Sequence, residues 1–227
     1  MHVSDEKDLG RKSLFDNKPL HGAEATLSGF EHVNRYWDRA ASVVVAKILP
    51  GEFYVTRNPE VIATTLGSCV SACLWDEVNG IGGMNHFMLP LTDVEASKVT
   101  WGNIVSDATR YGNYAMEHLI NEMLKNGAAR RNLRAKVFGG GKVLNQRNDV
   151  GRKNADFVLL YLHQEQIELV AQDLGDVYPR KVLFDPLTGK ARVKKIRSMH
   201  NDTIINRERD YQQSIGTKPV EGDIELF

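Results

Sequence analysis

Two residues of this 227-residue chain stand where thiol chemistry would need them: Cys69, after Leu66-Gly67-Ser68, and His86, seventeen positions on, after Gly82-Gly83-Met84-Asn85. A thiol is a weak nucleophile at neutral pH until a base or a cation stabilises the thiolate, and an imidazole within hydrogen-bond reach does that. The Gly-Ser pair lets the backbone turn sharply, which presents the sulfur at the end of an element. Such a pair supports acyl transfer through cysteine, with backbone N–H groups of the turn around Gly67, Ser68 and Cys69 as candidate oxyanion donors.

Plainer readings compete. A cysteine in an apolar run is ordinarily a small buried hydrophobe; that reading fits Cys73, inside Val70-Ser71-Ala72-Cys73-Leu74-Trp75, and also stands for Cys69 taken alone. A metal site from Cys69, Cys73 and His86 is a third option, but the spacing offers no second Cys or His pair to complete a tetrahedral set. Neither metal nor cofactor is expected.

The elements that would position the pair read as a hairpin with arms 70 to 75 and 81 to 88. With a five-residue loop from Asp76 to Gly80, Trp75 faces Ile81 and Cys69 falls opposite Phe87, beside His86. With the two-residue Asn79-Gly80 turn, Cys69 falls opposite Pro90 and the histidine is displaced along the strand. The spacing permits both, and a one-residue slip would exchange the faces.

Around this hairpin the apolar periods predict further elements. A short helix is expected from Phe30 to Arg39 and strands over Ser42 to Ile48 and Phe53 to Thr56. Helices are expected over Asn103 to Asn126 and about 151 to 165, the second with Ala155, Val158, Leu159 and Leu162 inward and His163 at its exposed end. Leu133 to Phe138 reads as a strand running into Gly139-Gly140-Gly141-Lys142. That triplet lacks the spacing of a phosphate loop and has no Ser or Thr after the lysine, so close backbone packing near the site, or a hydrogen-bonding loop beside it, is expected. Ile167 to Ala171 reads as a strand, and Arg180 to Phe184 with Ala191 to Ile196 as a hairpin. The basic residues Lys190, Arg192, Lys194, Lys195 and Arg197 fit an edge strand guarded by lysines, with a binding patch as the alternative. The order of elements predicts an α+β fold with a mainly antiparallel core and two packed helices. Residues 1–28 read as an N-terminal extension, 29–199 as one domain and 200–227 as a loose polar tail.

With 42% hydrophobic residues the chain can bury one sizeable core. Its 29 basic and 29 acidic residues balance, so charge points to neither nucleic acid nor a membrane surface. No apolar stretch is long enough to span a bilayer, and two cysteines four apart make no disulfide framework. A cytoplasmic protein with reduced thiols is expected.

The run TTLGSCVSACLWDE (64–77) followed by GGMNHFMLP (82–90) resembles the CheD family of bacterial chemotaxis proteins, the chemoreceptor glutamine deamidases. FEHVNRYWD (30–38), KILPGEFYVT (47–56), RYGNYAMEHLIN (110–121), AKVFGGGKV (135–143) and DLGDVYPRKVLFDPLTGKARVKK (173–195) extend the resemblance over positions 30 to 197. It implies hydrolysis of glutamine carboxamides on methyl-accepting chemotaxis receptors, with Cys69 as nucleophile and His86 as base. The third member it implies is a threonine just before the cysteine, which is Thr64 or Thr65; we take Thr64. It also implies an α/β/β sandwich like that of cytotoxic-necrotizing-factor-like deamidases, no cofactor, recruitment to membrane receptor arrays and, for some members, a CheC-type chemotaxis phosphatase as partner. A receptor methylesterase using the same nucleophile, and a docking regulator without catalysis, are the competing functions.

Overall fold

The structure, a computed structural model, describes residues 24–90, 107–143, 149–197 and 202–217. In chain order the first half carries β1 (Asn34–Asp38), β2 (Val43–Lys47), β3 (Phe53–Thr56), β4 (Glu60–Leu66), β5 (Val70–Asp76) and β6 (Ile81–Asn85). There follow α1 (Asp107–Lys125), β7 (Arg134–Gly139), α2 (Val150–Gln164), β8 (Glu168–Leu174), β9 (Arg180–Phe184), β10 (Ala191–Lys195) and α3 (Asp202–Thr217). The strands form two five-stranded sheets, ordered β1-β2-β4-β9-β10 and β3-β6-β5-β7-β8. Pairing is antiparallel except between β2 and β4 and between β7 and β8. The fold is α+β.

Layering follows from the alternation of side chains along a strand. On β6, a methyl group at Gly83 would meet the Leu119 side chain of α1, and one at the neighbouring Gly82 would meet Pro186 in the β9–β10 turn. One face of the second sheet therefore receives helices, α1 on β3 and β6 and α2 on β5, β7 and β8. The other face receives the first sheet, where the Trp75 ring meets Phe184 edge-on. All seven residues of β5 are buried, as a strand covered on both faces requires. Cys73 shares the sheet-facing side of β5 with Trp75 and is fully buried.

Three expectations from the sequence are corrected. Residues 30 to 39 are not a helix: Phe30 and Val33 close consecutive turns, and β1 then pairs with β2 in the register Trp37↔Val44. The apolar spacing there comes from two separate needs, since Phe30 packs edge-on against Phe53 and Tyr54 while β1 satisfies the backbone edge of β2. The hairpin register is neither of the two counted. Asp76 faces Ile81 across a four-residue loop and Val70 bridges Phe87, so the loop is one residue shorter than the five-residue reading. Finally, residues 202–217 are not a loose tail but the helix α3, a third helix where two were expected. The N-terminal extension lies outside the described residues up to position 23. Among the described residues, no helix is long and apolar enough to cross a membrane.

Candidate active site

The segment Gly67-Ser68-Cys69 joins β4 to β5, the central strands of the two sheets. Its three carbonyls are all held from the protein side. Gly141 N–H donates to Gly67 O at 2.7 Å, Gly140 N–H to Cys69 O at 2.8 Å, and the buried Asn154 of α2 donates from Nδ2 to Ser68 O at 2.8 Å. The glycine triplet at the end of β7 therefore both packs closely against this segment and hydrogen-bonds to it, as the two readings from the sequence had it. At Gly139, φ is 111° and an added Cβ would sit 2.2 Å from Cys69 O, so only glycine fits. With the carbonyls turned inward, the N–H groups of Gly67, Ser68 and Cys69 converge on one side as an anion-binding nest.

His86 is fixed through its own peptide, which donates to Glu52 O at 2.9 Å and accepts from Gly51 N–H at 2.7 Å. Its ring Nδ1 lies 2.8 Å from Thr64 Oγ1, and the same hydroxyl lies 2.9 Å from Ile48 O. A carbonyl can only accept, so the one hydroxyl hydrogen goes to Ile48 and Thr64 accepts from His86 Nδ1–H. That leaves Nε2 as the unprotonated nitrogen; it is buried and, among the described residues, has no hydrogen-bond partner. Of the two adjacent threonines, Thr64 is the one that meets the ring, while Thr65 lies opposite Lys181 across the β4–β9 pairing.

The nest is filled by Glu208 of α3. Its Oε1 accepts from Gly67 N–H at 2.7 Å and Cys69 N–H at 3.2 Å, and its Oε2 from Ser68 N–H and Ser68 Oγ–H, both at 2.7 Å. Cys69 Sγ, a His86 ring nitrogen and a Glu208 carboxylate oxygen lie within 4.8 Å of one another. These three could in principle hold a cation. A carboxylate has about four lone-pair positions, though, and Glu208 directs all four at protein donors. The arrangement suits an anion among amides.

The electrostatics follow from burial. Enclosure raises the Cys69 thiol well above its ordinary pKa, and the Glu208 carboxylate pushes it further up. Enclosure, with a smaller contribution from Arg207, lowers the His86 imidazole to about 3. With α3 in place, thiol and imidazole are both neutral at pH 7. Cys73 is also raised by burial, and it lies away from the nest on β5.

Sequence reasoning singled out Cys69, His86, Thr64, Gly67 and Ser68, and the fold brings all five together. His118 and His163 are elsewhere, the first on α1 beside Tyr114 and edge-on to Phe53 of β3, the second exposed at the end of α2. Two contributors were not read from the sequence. Asn154 has no local signal, since its role is to satisfy a carbonyl 86 residues away. Glu208 had one: the covered positions Ile205, Glu208, Gln212 and Ile215 recur at helical spacing, with a carboxylate on the inward stripe.

A neutral thiol beside an oriented imidazole and three convergent N–H groups is an arrangement chemically suited to cysteine-dependent acyl transfer, on an α+β scaffold. The family model described as "CheD chemotactic sensory transduction" matches residues 88–195. A protein of Halorhodospira halophila named "Probable chemoreceptor glutamine deamidase CheD" is 52% identical over 202 residues, covering 88% of this chain and 93% of that protein. One of Methylobacillus flagellatus with the same name is 54% identical over 196 residues, covering 86% and 95%. Among solved structures the Bacillus licheniformis hypothetical protein YfiH aligns over 56% of this chain and 49% of its own at 14% identity. Its TM-score of 0.34 is too low to carry an argument. The chain belongs to the CheD family.

Proposed function

We propose that this chain is a chemoreceptor glutamine deamidase, a protein-glutamine glutaminase that hydrolyses glutamine side chains to glutamate through Cys69, His86 and Thr64. The observation that supports this most is the His86 ring: Thr64 holds Nδ1–H, and the free Nε2 lies in a buried site beside the Cys69 thiol. The chemistry follows from those positions. His86 Nε2 takes the thiol proton as Cys69 Sγ attacks the carboxamide carbon, and the tetrahedral oxyanion is held by the N–H groups of Gly67, Ser68 and Cys69. His86 returns the proton to the departing ammonia, leaving a thioester on Cys69. Water, deprotonated by the neutral imidazole, attacks the thioester; the carboxylate leaves and the thiol is restored. One water enters and one ammonia leaves per glutamine.

The substrate class comes from the relatives' names, which specify chemoreceptor glutamine. We extend the proposal to a cytoplasmic enzyme recruited to receptor arrays, to kinship with cytotoxic-necrotizing-factor-like deamidases, and to docking of a CheC-type phosphatase. Supplying one receptor cytoplasmic fragment with its sites as glutamine, and another with them as glutamate methyl ester, tests the reaction. Ammonia from the first and no methanol from the second is expected. Methanol without ammonia would make the chain a methylesterase, and neither product would leave the docking reading.

A further inference from the structure

The product of this reaction is a glutamate side chain on a receptor helix, and the site already contains a glutamate side chain on a helix. Glu208 is 1% exposed at the centre of α3, and its carboxylate accepts hydrogen bonds from the three N–H groups that would hold the oxyanion. Burying a charge is costly unless it is fully hydrogen-bonded, and the four bonds to Glu208 meet that condition. The rest of the contact is equally helix-like. Tyr211, Gln212 and Ile215 stand three, four and seven residues after Glu208, on the same covered face. The Tyr211 ring packs over Gly51, where an added Cβ would come within 2.9 Å of it, and its hydroxyl bonds to the Tyr111 hydroxyl of α1. Thr203, Asn206, Arg209, Asp210 and Gln213 face away and are exposed. A helix laid in a groove by one face is a recognised mode of peptide binding.

We infer that α3 occupies the substrate groove of its own enzyme with Glu208 standing as bound product, so that the groove is shaped for a helix displaying one glutamine and α3 must withdraw before a receptor helix enters. This rests on the deamidase reading above and adds to it the helix that blocks the site and the contact pattern by which a substrate helix is held: the reacting residue in the nest, an aromatic or aliphatic group three residues on over Gly51, and an aliphatic group seven residues on.

The inference predicts that Glu208→Gln makes the enzyme its own substrate. In the full-length variant the carboxamide at position 208 takes up water, loses ammonia to the medium and returns to a carboxylate, at a first-order rate independent of protein concentration. Peptide mapping by mass spectrometry reads position 208 as acid in this variant and as amide when Cys69→Ala is added. A second variant, Glu208→Ala, empties the nest. Its kcat/KM on a receptor fragment should rise by the inverse of the fraction of wild-type molecules with α3 withdrawn, about tenfold if one molecule in ten is open. An amide that persists at position 208, in a preparation that deamidates the receptor fragment, overturns the inference and leaves the deamidase reading standing. A Glu208→Ala variant no faster than wild type also overturns it. If the wild-type chain releases no ammonia from the receptor fragment, the deamidase reading fails and the inference falls with it.

Discussion

Thr64 can donate one hydrogen, and because Ile48 O receives it, the imidazole of His86 is held with its proton on Nδ1 and its lone pair on the side of Cys69. A neutral hydroxyl can orient an imidazole but gives the imidazolium none of the charge stabilisation a carboxylate would supply. Thr64→Val keeps the shape and leaves Nδ1–H buried without an acceptor, a cost of about 1 to 3 kcal/mol. At about 1.4 kcal/mol per factor of ten, kcat on a receptor fragment should fall roughly tenfold to a hundredfold with KM nearly steady. Steady-state kinetics measures both, and an unchanged kcat would mean that something other than Thr64 sets the ring. At this scale the sequence was informative because the proposed nucleophile, base and threonine lie within 23 positions, Thr64 on β4, Cys69 just after it and His86 just after β6. It could not choose between Thr64 and Thr65 without the β4–β9 register, which decides which hydroxyl points at the ring. The partners of Glu208 and Asn154, Ser68 N and Ser68 O, are 140 and 86 residues away, so the helical stripe could mark Glu208 as inward-facing but not name its target, and nothing local marked Asn154.

The elements hold the loop of the proposed nucleophile, Cys69, by backbone contacts, so substitutions in the glycine triplet should act on chemistry and stability together. Gly139→Ala places a methyl group against Cys69 O and Val70 Cα at a φ of 111°, and those backbone atoms cannot yield. The dihedral strain alone costs about 1 to 3 kcal/mol, and displacement of Cys69 should abolish turnover. Gly80→Ala is the control: φ is 60° but nothing lies within 4 Å, so a loss of about 1 kcal/mol with activity intact is expected. Denaturant midpoints and ammonia release compare the two; full activity in Gly139→Ala would remove the triplet from the account. Long periodic elements were readable, with α1, α2 and the β9–β10 hairpin falling within a few residues of expectation. Failures came where the pattern was short. The segment from Phe30 carries apolar groups that serve a turn and a strand in succession, and their spacing imitates a helix. The β5–β6 loop is set by Asp76, whose carboxylate accepts from Asn79 N–H and Nδ2–H and from Ala129 N–H, a tertiary bond that no local turn rule contains.

Across the whole molecule, three layers bury both cysteines completely, and they differ in what covers them. Cys73 lies on β5 between the two sheets and can be reached only if the core opens, whereas Cys69 lies beneath α3. The polar, single-sided pattern of α3 is why the sequence reads as a tail there. Among the described residues the titratable neighbours of Cys69 include His86, Glu208, Tyr111 and Tyr211; burial raises the thiol most, and the Glu208 charge raises it further. Glu208→Ala should therefore lower the Cys69 pKa, increase the thiolate fraction at neutral pH and move the pH midpoint of iodoacetamide labelling downward. Peptide mapping after limiting reagent should find Cys69 labelled first and activity lost in parallel; labelling of Cys73 first would reverse their roles. The central claim is that Cys69 carries hydrolysis of receptor glutamine. The direct measurement is the intact mass of a purified receptor cytoplasmic fragment before and after incubation with this protein and with its Cys69→Ser variant. The wild-type chain should convert the amide mass to the acid mass at the target glutamines, and the variant should leave the fragment unchanged. A fragment left unaltered by the wild-type chain, or altered equally by Cys69→Ser, would contradict the account.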